Sequence, residues 1–165
     1  MIYLKDFIRI PEKRINFLKK NNNLKEEIEK STNTRIEIKD EITIEGETLN
    51  VFQAKQILKA FGRGFEIEDC LHLLEDDYVL EIINLSEFIK SKKRLITLKG
   101  RIIGTEGKTK KFIESFTEVK ISIFGKTVSI IGKWDKINIA KEAIMKIIEG
   151  CPHQNLYRWL EKKSR

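Results

Sequence analysis

The chain repeats itself. Ile28-Glu29-Lys30-Ser31-Thr32-Asn33-Thr34-Arg35-Ile36-Glu37-Ile38 carries the same hydrophobic pattern as Ile113-Glu114-Ser115-Phe116-Thr117-Glu118-Val119-Lys120-Ile121-Ser122-Ile123, 85 positions downstream. One residue later in register, Ile42, Ile44 and Gly46 match Val128, Ile130 and Gly132. Ala54-Lys55, Leu58 and Gly64 then match Ala140-Lys141, Ile144 and Gly150. Agreement of this extent is the trace of a duplicated supersecondary unit, so the 165 residues read as two small copies of one fold.

Each copy holds the same succession of patterns. Apolar and polar residues alternate through Arg35-Ile36-Glu37-Ile38 and Ile42-Thr43-Ile44, and again through Val119-Lys120-Ile121-Ser122-Ile123 and Thr127-Val128-Ser129-Ile130-Ile131, predicting two hairpins of half-buried strands. The spacing then becomes helical. Leu49, Phe52, Ala54, Ile57, Leu58 and Phe61 form one face, ending at Gly62 or Gly64; Ile137, Ala140, Ala143, Ile144, Ile147 and Ile148 form the other, ending at Gly150. A first strand is expected in each copy at residues 3–9 and 78–85. Residues 66–74 read as a connecting helix, with His72 a core residue on it. Pro152 opens a closing helix whose Leu156, Tyr157 and Leu160 dock on the second copy, leaving Arg158, Lys162, Lys163 and Arg165 outside.

Between the first two helical segments of the second copy stands Gly100-Arg101-Ile102-Ile103-Gly104-Thr105-Glu106-Gly107-Lys108-Thr109-Lys110-Lys111. Without a Cβ, Gly104 and Gly107 let the backbone turn sharply and let another backbone approach closely. The amides opening the next helix are unpaired and their dipole favours an anion, while Lys108, Lys110 and Lys111 add charge beside them. This Gly-X-X-Gly loop, followed by Phe112-Ile113-Glu114-Ser115-Phe116-Thr117, the hairpin and the last helix, resembles a KH domain. The resemblance implies an α+β fold of two tandem type I KH domains (β-α-α-β-β-α) with a C-terminal helix, a clamp for single-stranded RNA, and domains at residues 1–75 and 76–165. At the matching place the first copy has Lys19-Lys20-Asn21-Asn22-Asn23, read as one residue shorter and lacking glycine. It is therefore taken as a degenerate copy, a scaffold or protein-binding module, with Lys13, Arg14, Lys19 and Lys20 leaving an RNA role open.

Charge divides along the same line. Residues 1–85 carry 13 Lys and Arg against 17 Asp and Glu, whereas residues 86–165 carry 19 against 8, which points the second half at a polyanion. Other classes are excluded. Gly107-Lys108-Thr109 and Gly125-Lys126-Thr127 resemble the tail of a phosphate-binding loop, but the glycine required five residues before the second one is replaced by Ile102 and Lys120. With His72 and His153 the only histidines and no nucleophile motif, no active site is expected, and no cofactor or metal. Cys70 and Cys151 lack metal or redox spacing and read as free thiols. No run approaches the ~20 apolar residues of a membrane span, and no signal sequence opens the chain, so a cytoplasmic protein is expected.

The Arg101 to Lys111 stretch, Phe124-Gly125-Lys126-Thr127-Val128, and the closing Pro152-His153, Tyr157-Arg158 and Leu160-Glu161 together resemble the archaeal form of the partner-of-Nob family of ribosome assembly factors. The resemblance implies binding near the 3′ end of the small-subunit ribosomal RNA precursor and work beside the Nob endonuclease that trims it. It further implies, as weaker partners, the rRNA dimethyltransferase and the alpha subunit of initiation factor two. On this reading RNA is held by Arg101, Ile103, Gly104, Thr105, Glu106, Gly107, Lys108, Thr109, Lys110, Lys111, Ile121, Ser122 and Lys126. Ile102 and Ile123 add apolar walls, and Ser122 with the neighbouring strand backbone reads base edges. Glu106 is the discordant member, since a carboxylate repels phosphate. A general KH module of RNA decay or translational control, and a protein-interaction scaffold, stay open beside it.

Overall fold

The computed structural model describes residues 2–163, so the expectation for Arg165 lies outside the described residues. The chain divides into two compact units, Met1–Asp76 and Asp77–Arg165. Unit 1 runs β1 (Tyr3–Ile8), α1 (Glu12–Lys20), α2 (Asn22–Thr32), β2 (Arg35–Ile38), β3 (Ile42–Glu47) and α3 (Thr48–Gly62), followed by α4 (Ile67–Cys70) and a 3-10 turn, Leu71–Leu74. Unit 2 runs β4 (Tyr78–Asn84), α5 (Lys92–Ile103), α6 (Lys108–Thr117), β5 (Lys120–Phe124), β6 (Thr127–Lys133), α7 (Trp134–Ile148) and α8 (His153–Lys163). Each unit has one antiparallel sheet with its third strand in the centre, ordered β1-β3-β2 and β4-β6-β5. The fold is mixed α+β, with helices packed over one face of each sheet.

Alternation decides which strand face is buried. Ile36, Ile42 and Ile44 point into unit 1, as Ile121, Val128 and Ile130 point into unit 2. Against them pack Ile15, Ile28, Ala54 and Leu58 in unit 1, and Ile102, Ile113, Ala140 and Ile144 in unit 2. The polar fittings are duplicated as well. Glu29 Oε2 accepts from the Ile36 amide at 2.8 Å, and Glu114 Oε2 from the Ile121 amide at 2.9 Å, so a helix carboxylate caps the open strand edge in both units. Thr32 and Thr117 each donate to the carbonyl four residues back, at 2.7 Å. Lys55 meets Asp6 at 2.8 Å and Lys141 meets Glu81 at 2.7 Å, tying α3 and α7 to the first strand of their sheets.

One duplicated contact corrects a sequence expectation. Arg14 donates to the carbonyls of Phe61 (2.8 Å) and Phe65 (2.9 Å) at the end of α3. Arg101 donates likewise to Ile147 (3.3 Å) and Cys151 (2.8 Å) at the end of α7. Phe61 and Ile147 also accept the amides of Gly64 and Gly150, both at 3.0 Å, so the guanidinium adds charge and two aimed donors at the negative end of the helix. Because the same clamp stands in the copy without a glycine loop, it belongs to the fold. Arg101 is thus occupied away from a phosphate site.

Other expectations are corrected too. Leu49 and Phe52 are 78% and 60% exposed, and Val51 takes the core position on α3 instead. His72 is no core residue; its Nδ1 lies 3.0 Å from a Glu75 carboxylate oxygen on the surface. Residues 66–74 do more than connect: α4 and the 3-10 turn rest on α3 and α2, as α8 rests on α7 and α6. Finally, between the clamp arginine and the buried isoleucine that follows, Arg14 to Ile28 spans two residues more than Arg101 to Ile113, not one fewer. In unit 1 the helix α1 runs six residues past its arginine, to Lys20, where α5 stops two past Arg101, and Asn21 alone joins α1 to α2.

Losing the Arg101 guanidinium removes two charge-assisted hydrogen bonds at the end of α7, to the carbonyls of Ile147 and Cys151. Arg101→Met is expected to destabilise unit 2 by about 2 kcal/mol in urea unfolding. Burial also pushes the Cys70 thiol well above its ordinary pKa. A thiol reagent at neutral pH should therefore modify the partly exposed Cys151 first and Cys70 only on unfolding.

Candidate nucleic-acid interface

α5 ends and α6 begins across Gly104 to Gly107, and the two glycines do different things. Gly104 has φ 77° and ψ 170°, a region open in practice to glycine alone. A Cβ there would lie 2.6 Å from the Thr109 nitrogen and 2.7 Å from the Thr109 Cβ, so the space is already filled from within. Gly107, at φ 76° and ψ 11°, is left-handed, but a Cβ there would meet only the Lys111 side chain at 3.7 Å. Glu106 between them is also left-handed (φ 55°, ψ 27°), at a cost of about 1–2 kcal/mol for an L-residue, and its side chain is exposed to solvent.

Thr109 is buried, contrary to an RNA-facing role for its side chain. Its Oγ1 shares a 3.0 Å hydrogen bond with the Tyr157 hydroxyl of α8, and the Tyr157 ring lies 4.2 Å from that of Phe112. The loop is therefore pinned from behind by the last helix, leaving its front open. Within it, Gly107 N–H is bonded to Gly104 C=O at 3.1 Å and Lys108 N–H to Thr105 C=O. α6 starts without a side-chain cap, so its opening turn keeps amides with no side-chain partner, as an anion site requires. The ion pairs of unit 2 are Lys133–Asp77, Lys136–Glu118 and Lys141–Glu81. None uses Lys108, Lys110 or Lys111 among the described residues, so three cations stand unpaired at the loop.

Beside the loop, α5 presents a stripe of which sequence reading named Ile103 alone as a contact. Ile96 is 71% exposed, Ile103 is 37% exposed, and Gly100 between them has nothing within 4 Å of where its Cβ would be. Spacings of four and three put the three on one helix face. A glycine costs about 1 kcal/mol against alanine in an exposed helix, so its place here leaves an apolar, side-chain-free track leading to Gly104. Exposed isoleucines flanking an exposed glycine were the available signal. The opposite wall is β5, an edge strand. Ile121 faces the core and its amide is held by Glu114, so neither its side chain nor its amide is open to a ligand. Ile123 packs on the same side, which puts the Ser122 side chain on the other sheet face, away from the helices. The Ile123 backbone, not Ser122, is thus the edge offered toward the loop side. Lys126 is exposed on the β5–β6 turn, and Thr105 is exposed in the loop.

The unequal glycines give a measurable contrast. Gly104→Ala should destabilise unit 2 by more than 2 kcal/mol, because Thr109 would have to give way, whereas Gly107→Ala should cost about 1 kcal/mol; urea unfolding of the two variants compares them directly.

The family model for the second KH domain of Pno1, described as a eukaryotic-type KH domain (KH-domain type I), matches residues 79–165. KH domain-containing protein MJ0443 of Methanocaldococcus jannaschii is 38% identical over 97% of this chain and 74% of its own length. The pre-rRNA-processing protein pno1 of Aspergillus fumigatus is 33% identical over 67% of this chain, which spans 45% of that protein. Among solved structures, the Dim2p chain in the a/eIF2alpha–aDim2p–rRNA complex of Pyrococcus horikoshii superposes with a TM-score of 0.90 at 40% identity, covering 99% of this chain and 96% of that one. With a KH domain spanning unit 2 and relatives matching over nearly the whole chain, this chain belongs to the Pno1/Dim2 family of KH-domain proteins.

Proposed function

We propose that the protein is an RNA-binding assembly factor of the small ribosomal subunit. It holds the 3′ region of the small-subunit rRNA precursor on unit 2 and assists its processing by a Nob-type endonuclease. The observation that carries this reading is the open front of the Gly104–Gly107 loop: uncapped helix-opening amides flanked by Lys108, Lys110 and Lys111, none of them ion-paired among the described residues. A run of about four unpaired nucleotides would thread between the α5 stripe and β5. Its sugar-phosphate backbone would cross Gly100, Gly104 and Gly107, and its bases would lie on Ile96, Ile103 and the Ile123 edge. Lys126 would meet the strand from the hairpin side. So short a footprint gives limited sequence selectivity, which suits a factor that presents a strand to a separate enzyme and cuts nothing itself.

Unit 1 we read as a second, degenerate KH copy, making two tandem type I domains at 1–75 and 76–165. Its strand order and element order are those of unit 2, but the single residue Asn21 joins α1 to α2 where unit 2 has the glycine loop. A protein contact is the task left to it. The Pyrococcus relative was solved with the alpha subunit of the initiation factor as well as rRNA. We extend that partner to this chain, with the Nob endonuclease and the rRNA dimethyltransferase as further candidates, and place the protein in the cytoplasm.

The test is a titration of the full chain with a fragment of the small-subunit rRNA 3′ end and with a scrambled control. Gly107→Asp, whose Cβ has room and whose backbone an aspartate tolerates, should weaken binding at least tenfold while the far-UV spectrum stays unchanged. Equal affinity for both fragments would instead indicate a general single-strand binder, and no binding a protein scaffold. Engagement of three lysines should make log K fall with log salt with a slope of about −2.

A further inference from the structure

Beside the loop lies a pocket of about 740 Å³ that no residue of α5 or β5 lines. Its walls come from the loop, α6 and α8, chiefly Lys108, Lys111, Phe112, His153 and Tyr157, with Glu106 at the rim. It is therefore distinct from the groove assigned to the four nucleotides, although it shares their loop. Three flat rings meet in it: Phe112 and Tyr157 at 4.2 Å, and His153 and Tyr157 at 6.2 Å with 30° between their planes. His153 Nε2 is buried and has no hydrogen-bond partner among the described residues. A polar atom left so carries an unspent capacity to bond. Ring faces, two unpaired ammonium groups and a free imidazole nitrogen are the chemistry that holds a nucleotide by its base and its phosphate. The volume lies within the roughly 300–1,000 Å³ of small-molecule sites.

The duplicated fold supplies a control for this reading. At the positions of unit 1 that match Thr109, Lys111 and Phe112 stand Leu24, Glu26 and Glu27, and those that match His153 and Tyr157 hold Ile67 and Leu71. The two units share their core, edge-capping carboxylate and arginine clamp, yet every one of these five pocket positions differs, in the unit that also lacks the loop. Residues required by the fold repeat; these do not.

We infer that this pocket is a subsite for one further nucleotide of the same single-stranded RNA, lying beyond those in the groove. Its base rests against Tyr157 and His153, its phosphate lies by Lys108 and Lys111, and Glu106 keeps the phosphate off the opposite rim. The inference depends on the RNA reading above.

Two oligoribonucleotides from the small-subunit rRNA 3′ end, one of four residues and one of eight containing it, separate the two ideas by fluorescence anisotropy. The wild-type chain should bind the eight-residue RNA at least tenfold more tightly than the four-residue one. His153→Ile, which installs the residue found at the matching place of unit 1, should remove most of that gain and leave the four-residue affinity within twofold. In amide NMR spectra only the longer RNA should shift the signals of His153 and Tyr157. Equal wild-type affinity for both lengths, or a His153→Ile loss shared equally by both, would overturn the subsite while the groove reading stands. Binding to neither would overturn both.

Discussion

A side chain sits where another has been omitted: Thr109 fills the space behind Gly104, and its hydroxyl is tied to Tyr157 on the last helix. Everything functional in unit 2 follows from that arrangement. The loop must bend through a backbone conformation reserved for glycine, and a bend of that kind is stable only if its inner side is packed. Packing it from within leaves the outer side bare, and bare amides at a helix start are what an anion needs. α8 is accordingly part of the site as well as of the fold, since it carries the hydroxyl that fixes Thr109 and the rings beside it.

The duplication makes it possible to tell structural residues from functional ones without any external alignment. Arg101 reads as a phosphate ligand when the basic stretch is taken alone. Arg14, doing the same work on Phe61 and Phe65 in a unit with no loop, shows that the guanidinium serves the carbonyl end of a helix. The matched pair Glu29 and Glu114, each spent on a strand amide, likewise explains why Ile121 presents no free amide at the edge of β5. What remains unmatched between the units is the glycine loop, the unpaired lysines, the α5 stripe and the rings of α8. The charge division, acidic before and basic after, runs with the same asymmetry.

Sequence pattern made most of the architecture legible, because periodicities of 2 and 3.6 report directly which face is buried. The expected strands at 3–9 and 78–85 appear as Tyr3–Ile8 and Tyr78–Asn84, and the closing helix docks through Leu156 and Leu160 as its spacing implied. The misjudged residues share a cause. Leu49, Phe52 and His72 were assigned to the core by helical spacing, but spacing cannot say where a helix's buried face stops. Thr109 was assigned to the RNA by its place in the basic loop stretch, and Ile121 and Ser122 by the place of their strand in the KH resemblance, whereas the direction of a side chain is set by what packs beside it. Ile96 and Gly100 were passed over because exposure of an apolar residue is invisible until its neighbours are placed.

By itself the sequence determined that the chain is a duplicated α+β fold, that one copy keeps a glycine-bounded basic loop, and that the positive charge lies with that copy. Each of these is written in local order: periodicity, the absence of a Cβ, the sum of charges. Only the tertiary structure decided which cations are free, which glycine is packed and which is open, and that the last helix closes a ring-lined pocket beside the loop. Those properties depend on distances between residues far apart in the chain, such as the 3.0 Å between Thr109 and Tyr157, and no local pattern encodes them.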